Sequence, residues 1–419
     1  MSVHPIFAAL RKHKSGVVLI SLQIALTLAI VCNAVFIIAQ RIDRVNRPTG
    51  LDESDLILVT QQWVGAPTGV DPASIDKLDS LMQSDLATLN AIPGVQSVSP
   101  INTVPLWNSS WTSVISTKPS ITFKNKAGYD RTALYFVGAK GLPTLGLNLV
   151  AGRNFRPSEV VHQAARSEIR PAVVIITRAL ADKLYPDGHA LGKTVYVNGY
   201  STPSTVIGIV ARMQTASLNR QLDTFAWSSV LIPMRLNTSF SRYIVRTQPG
   251  QLEAVMHAVK PALYKANPMR VLDDDSVTSF AEIRADAYKG DIGMAILMGV
   301  ISVILIAVTG AGIVGLTSFW VGQRHKQIGV RRALGARRVD ILRYFQTENL
   351  IIAGIGAVIG IVMAVGLNLV LMQQLALPRL PIWMVLVGVV LVMVLGQIAV
   401  FVPARRASRV SPALATRAA

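Results

Sequence analysis

The sequence predicts a membrane protein with four transmembrane α-helices and a large α+β extracytoplasmic domain inserted between helices 1 and 2. Three observations predict it: four long apolar runs without charge, a charged and turn-rich stretch between the first and second of them, and an uneven distribution of Lys and Arg. Half of the residues (51%) are hydrophobic and only 15% are charged, below the ~25% of an ordinary globular chain.

The spans come first. Val17–Ala39, Ile292–Trp320, Asn349–Met372 and Ile382–Val402 contain no Asp, Glu, Lys or Arg, and the shortest has 21 residues. About 20 helical residues cross a ~30 Å hydrocarbon core. An unpaired backbone N–H or C=O in lipid costs several kcal/mol, so these runs must be helices. Buried helices of a soluble core are the competing reading, and four uncharged runs of this length exceed what such a core uses. The first span is too long for the apolar core of a cleaved signal peptide and lacks a small-x-small site before Gln40-Arg41, so it reads as a retained anchor. Cys32 follows Val31 rather than a small residue, which argues against lipidation. It is the only cysteine, so the external domain is expected to rely on its core rather than on a disulfide.

Charge sets the expected orientation. Residues 1–16, 321–348 and 403–419 hold fourteen Lys or Arg against two acids, whereas residues 40–291 hold 26 basic and 21 acidic residues. Residues 373–381 carry only Arg379. Basic residues near span ends stay on the cytoplasmic side, and a long loop translocates whatever its charge. Both termini and residues 321–348 are therefore expected inside, with residues 40–291 and the short 373–381 loop outside. The net charge of +18 is explained by topology and anionic lipid headgroups. No nucleic-acid recognition motif accompanies it.

Residues 40–291 read as α+β. Asp55–Gln62 is a strand candidate. Asp71-Pro72 opens a helix whose Leu78, Leu81, Met82, Leu86 and Leu89 make one apolar stripe. It ends at Ile92-Pro93-Gly94, and Val95–Val104 returns as a strand. A second block has Ala172–Ile176 as strand, Thr177–Leu184 as helix, and Thr194–Val197 and Ser204–Val210 as paired strands. A third has Arg242–Thr247, a helix over Gly250–Lys265, and Met269–Leu272. Blocks of this kind predict two small α/β subdomains rather than a doubly wound parallel sheet. Ser276–Gly290 is helix-compatible and leads into the second span as a stalk.

Three motifs imitate chemistry. Gly310–Gly315 spells G-A-G-I-V-G, yet it lies inside a span, follows no strand and has no acid before Asp340. A dinucleotide site needs phosphate at a helix N-terminus, so packing glycines are the better reading. Gly188–Thr194 is one residue short of a phosphate-binding loop and reads as a turn. Asp273-Asp274-Asp275 lacks further ligand spacing and reads as a solvated face. The six His residues show no paired metal spacing. No catalytic residue, metal site or cofactor site is expected in this chain.

The spans hold no ionisable residue of the kind an ion-coupled carrier uses near the midplane. They do hold small residues at close-packing intervals: Gly356 and Gly360, extended by Ala364, and Gly310, Gly312 and Gly315. These favour helix approach, within one chain or between two. The segment Val321–Phe345 is the most informative. Ile328, Ala333 and Leu334 give an apolar face, the arginines a cationic one, and Gly335 ends the helix. Such an element either lies on headgroups or docks a cytoplasmic partner.

Several segments carry a family resemblance. Gln323–Ala336 reads Q-R-x-x-x-I-G-V-R-R-A-L-G-A and is followed by Asp340-Ile341 and Glu348, and Val402–Ala415 reads V-P-A-R-R-A-S-R-V-S-P-A-L-A. These resemble the coupling segment and C-terminal signature of MacB/FtsX-type ABC transporter permeases. Gly141–Phe155 and Leu184–Val195 resemble the extracytoplasmic core domain of that family. The resemblance covers nearly the whole chain. Gln327 stands where relatives commonly carry Glu, which leaves a hydrogen bond in place of an ionic contact.

The resemblance implies a homodimeric permease in the bacterial inner membrane. A separate cytoplasmic ABC ATPase subunit would bind ATP and Mg, and it would be docked by Arg324, Gln327, Ile328, Gly329, Arg331, Arg332, Leu334, Gly335 and Ala336. ATP-driven closure would move the external domains, for efflux with a periplasmic adaptor and an outer-membrane channel. Alternatively the chain would activate an envelope hydrolase. A lone membrane-anchored binding module is a third reading and predicts no ATPase partner.

Overall fold

The computed structural model describes residues 14–119, 129–164, 167–198, 202–218, 225–375 and 378–409. The expected cytoplasmic residues 1–13 and residues 410–415 of the closing signature lie outside the described residues. The chain divides into two units, residues 1–46 with 290–419, and residues 47–289.

Among the described residues four helices are long and apolar enough to cross a membrane, and their apolar stretches fall in the first unit. They are α1 (Lys14–Val45), α6 (Phe280–Gln323), α8 (Arg338–Leu375) and α9 (Ile382–Ser408), with the short α7 (His325–Ala333) between the second and third. α8 lies between α1 and α9 and packs on both. Ile20, Ile24 and Leu28 of α1 meet Ile352, Ala353 and Ala357 of α8 and Val392 and Val400 of α9 in one apolar core. Small residues allow that approach: a Cβ on Gly356 would lie 2.8 Å from Ser21 O, and one on Gly360 would lie 3.0 Å from Ala25 O. Asn33 adds a polar tie, donating Nδ2 to Ala364 O at 3.0 Å.

α6 behaves differently. Ile296, Val303 and Val308 are exposed along its apolar stretch, and it meets α1 on one narrow strip. There the Thr27 and Thr309 hydroxyls are 2.6 Å apart and Gln23 Nε2 donates to Val308 O at 3.0 Å. Arg41 of α1 is ion-paired to Asp291 at the start of the α6 span, and Arg44 lies 3.6 Å from the same carboxylate.

The second unit contains two sheets. The first runs β12 (Arg270–Val271), β1 (Leu56–Trp63), β11 (Phe240–Thr247), β2 (Val95–Pro100), with β13 (Val277–Ser279) also on β1. All its pairings are antiparallel. α2 (Pro72–Asn90) and α5 (Leu252–Ala266) bury Leu78, Met82, Leu89, Val255, Val259 and Leu263 against Ile57, Val59, Tyr243 and Val245. α2 starts where the sequence predicts, because Asp71 Oδ1 accepts the Ser74 N–H at 3.0 Å as N-cap.

The stripe of α2 carries one unanticipated residue. Asp85 is buried within it, accepting from Arg270 Nη2 at 2.8 Å and from the Tyr243 hydroxyl at 2.9 Å. Burial pushes its carboxyl above the usual range, against the opposing pull of Arg270 and Tyr243.

The second sheet comprises β3 (Trp111–Ser116), β4 (Tyr129–Val137), β7 (Val173–Thr177), β8 (Thr194–Val197), β9 (Ser204–Val210) and β10 (Ser229–Asn237), flanked by β5 (Leu149–Gly152) and β6 (Val161–Ala164). Its pairings run β4-β3-β8-β9-β7-β10, and β10 pairs β4 again, so the circuit closes into a ring. β4–β10 and β7–β9 are parallel and the other pairings of the ring are antiparallel. Ile115, Leu134, Phe136, Val174, Ile176, Val206 and Ile232 form its core with Leu180 and Leu184 of α4 (Arg178–Leu184). α3 (Gly141–Leu145) precedes β5 and ends at Gly146 with φ +66°.

The sequence suggests two small α/β subdomains; the structure has two sheets within one compact unit. The first and third sequence blocks share the five-stranded antiparallel sheet, and the second block enters the ring. Two expectations change in detail. The strand from Val95 ends at Pro100 rather than Val104. The stalk helix starts at Phe280 rather than Ser276, since Val277–Ser279 pairs with β1 and Ser279 and Glu282 cap each other reciprocally at 2.8 and 3.2 Å.

Candidate functional site: the basic segment between the second and third spans

α7 is a nine-residue helix set off from α6 at Arg324. Its C-terminus is closed by Gly335, whose φ of +97° suits glycine. Gly335 N–H donates to Arg332 O at 3.1 Å and Ala336 N–H to Arg331 O at 3.0 Å, the paired bonds of a Schellman stop. α8 then begins with the Arg337 N–H on Asp340 Oδ2 at 3.0 Å.

The structure divides the predicted docking residues into two sets. Arg324 is turned inward: its Nη1 donates to Glu348 of α8 at 2.9 and 3.1 Å, and both residues are buried. It is therefore a structural cation, because its donors are directed at a carboxylate shielded from water. Ile328 and Gly329 are also buried, and Ile328 packs with Ile341 and Phe345 of α8. Arg332 is half-buried and donates Nη1 to Ser408 O at 3.1 Å, tying α7 to α9. Ala336 is half-buried at the turn.

The second set is exposed: Gln327, Arg331, Leu334 and Gly335, with Lys326, Arg337 and Arg338 around them. Leu334 is 82% exposed at the tip. Arg331 lies over the Tyr344 ring, 5.1 Å from its centroid. Ile328, Ala333 and Leu334 therefore do not share one apolar face. At about 100° per residue, Ile328 and Leu334 point about 120° apart. The Arg324–Glu348 pair was missed by sequence reasoning, although an acid closing a basic segment just before an apolar run was the available signal.

The predicted packing glycines also divide. Gly356 and Gly360 receive α1, and a Cβ on Gly312 would lie 2.6 Å from Gln23 Oε1. A Cβ on Gly310 would only touch Leu395 at 3.9 Å, and one on Gly315 would meet nothing within 4 Å. Among the described residues no group of three His, Cys, Asp or Glu is placed to hold a metal ion. Asp273, Asp274 and Asp275 are exposed, and Lys260 Nζ caps the Asp273 carbonyl at 2.6 Å.

An uncharged four-helix anchor, an α+β domain of two sheets between its first two helices, and a short basic helix between the second and third define a membrane-embedded permease architecture. Comparison with known proteins gives the family. The MacB-like periplasmic core domain matches residues 19–262 and the FtsX-like permease C-terminal region matches residues 299–412. The chain belongs to the MacB/FtsX-type ABC transporter permeases.

The macrolide export ATP-binding/permease protein MacB of Chromobacterium violaceum is 24% identical over 66% of this chain and 42% of its own length. The uncharacterized ABC transporter permease YknZ of Bacillus subtilis is 29% identical over 58% of this chain and 61% of its own length. The chain thus spans about two fifths of that MacB and three fifths of YknZ. The solved periplasmic region of MacB from Actinobacillus actinomycetemcomitans aligns over 58% of this chain and 97% of its own, with 17% identity and a TM-score of 0.31.

Proposed function

We propose that this chain is the permease subunit of an ABC transporter whose ATPase is a separate cytoplasmic subunit. ATP hydrolysis there drives motion of the external domain and efflux of a substrate. The observation that carries the reading is the division of the α7 segment into an anchored back and a presented front. Arg324, Ile328 and Arg332 fix the helix to α8 and α9, while Gln327, Leu334 and Arg331, the last lying over the Tyr344 ring, keep exposed faces. An element fixed in this way transmits a push to the spans instead of bending under it. The absence of Asp, Glu, Lys and Arg from the four predicted spans supports work done outside the bilayer rather than ion coupling through it.

In this reading the ATPase receives Leu334 in an apolar hollow and the surrounding arginines against acids. Both termini lie in the cytoplasm, two copies of the permease act together, and an adaptor with an outer-membrane channel continues the path. ATP and Mg belong to the partner subunit.

The test is co-purification. A photo-crosslinking residue at Leu334, in the full chain expressed with its neighbouring nucleotide-binding subunit, is expected to capture that subunit. Arg331→Glu combined with Leu334→Glu is expected to lower co-purified ATPase about tenfold or more, the loss of a charge-assisted contact or two. The permease itself should stay in the membrane. Unchanged co-purification in the double variant would show that the front of α7 is not the dock.

A further inference from the structure

Where β10 of the ring turns through Thr238 into β11 of the five-stranded sheet, the external domain leaves a cleft of about 160 Å³. Both sheets line it: Met82 from α2, Trp111 from β3, Phe136 from β4, Met234 and Leu236 from β10, and Phe240 from β11. Trp111 and Phe136 meet edge to face with centroids 5.2 Å apart. Phe136 and Met234 are buried at the floor, whereas Trp111 and Phe240 are more than a third exposed at the rim. The cleft is apolar within and open to water above.

Arg242 is the only charged residue of the lining. It differs from four other partly or fully buried arginines of the unit, each of which has a carboxylate partner. Arg270 pairs with Asp85, Arg246 with Asp52, Arg235 with Asp79 and Arg284 with Glu53. Among the described residues Arg242 makes one hydrogen bond, from Nη1 to Asn102 O at 2.6 Å, and its buried Nε has no partner. Aromatic faces hold the guanidinium, with Phe240 at 4.6 Å and Trp107 at 5.7 Å from centroid to Cζ. Asn102 is itself fixed, donating Nδ2 to Leu134 O at 3.0 Å and accepting the Phe136 N–H on Oδ1 at 2.9 Å. The cation is thus placed and held, yet no carboxylate pairs with it among the described residues. Loss of water around it pushes its pKa below the usual arginine value, as expected for a charge whose hydration has not been replaced.

We propose that this cleft binds a small organic anion, an apolar group about the size of one aromatic ring bearing a carboxylate that Arg242 receives. The volume sets the apolar part, since a cavity of ~150 Å³ lined by apolar side chains accepts benzene. The positive charge of the guanidinium sets the polar part, because a hydrogen bond from a cation to a carboxylate is stronger than one between neutral groups. The inference concerns the external domain alone and stands whether or not α7 docks an ATPase.

The experiment uses the full chain in detergent, with 3-phenylpropionate as probe and 3-phenylpropionamide as its neutral counterpart. Binding is read by saturation-transfer NMR and tryptophan fluorescence, with empty micelles as the baseline. The acid is expected to bind about tenfold more tightly than the amide. R242Q should remove that preference, and L236F, which fills the cleft while keeping Arg242, should abolish binding of both. Equal affinity for acid and amide in the wild type would overturn the proposal. So would acid binding that survives L236F, a result that decides the matter even where R242Q does not fold.

Discussion

Arg324 and Glu348 form an ion pair with almost no water around it, at 8% and 2% residue exposure. Two charges taken out of water are held by their mutual geometry, so removing one strands the other. Arg324→Ala or Glu348→Ala is therefore expected to destabilise the helical unit by about 3–5 kcal/mol, whereas the double change to Met and Leu should be close to neutral. Thermal unfolding in detergent measures both. If either single variant matches the wild type, the pair is solvated in solution and its structural role is wrong. The same pair shows where sequence reading stops at this scale. Gly335 was legible as a stop, because a left-handed turn after a helix is a local property of one residue. The role of Arg324 was not, because its partner lies 24 residues away on another helix and only tertiary packing brings them together.

At the scale of elements, helix contacts in the first unit depend on which faces carry no side chain. Gly356 and Gly360 bring α8 against the backbone of α1, while Gly315 on α6 opens onto empty space. Gly356→Leu is expected to force α1 away at a cost of about 1–3 kcal/mol, the usual penalty for overfilling a packed contact. Gly315→Leu should leave the stability of a single chain within about 0.5 kcal/mol of wild type. Unfolding in detergent at high dilution separates the two, and equal effects would mean that α6 is packed where the structure shows it open.

The spans, α2 and the paired β8 and β9 were legible because a run of apolar residues, an Asp-Pro cap or an alternating pattern is written within a few residues. β3, β4, β5, β6, β10 and β13 were not. β10 carries Pro233 in its middle, which argues locally against a strand. It is tolerated opposite Val137 at the last residue of the parallel pairing with β4. Asp85 escaped notice for a related reason: an acid inside an apolar stripe is explained only by Arg270 and Tyr243, which arrive from the far end of the domain.

For the whole molecule the governing quantity is orientation. The uneven basic charge predicts the α7 segment and both termini inside and the two-sheet domain outside. Single cysteines at exposed Ser109 and exposed Gln327 report on it in intact cells. Ser109→Cys is expected to react with an impermeant maleimide directly, and Gln327→Cys only after permeabilisation. The reverse pattern would place α7 out of reach of any cytosolic subunit. Ser408 would be a poor reporter, since it is buried against its neighbours.

The ring of strands has a consequence for how such a domain comes to exist on the far side of a membrane. Its closing seam joins Ala133 to Ser229, so β4 offers a bare edge to any passing strand until the later segment has been exported. Seams between distant parts of a chain form slowly, and bare edges recruit neighbours. Newly made copies should accordingly be most vulnerable to clumping during secretion itself, and most resistant once the last strand has locked the circle.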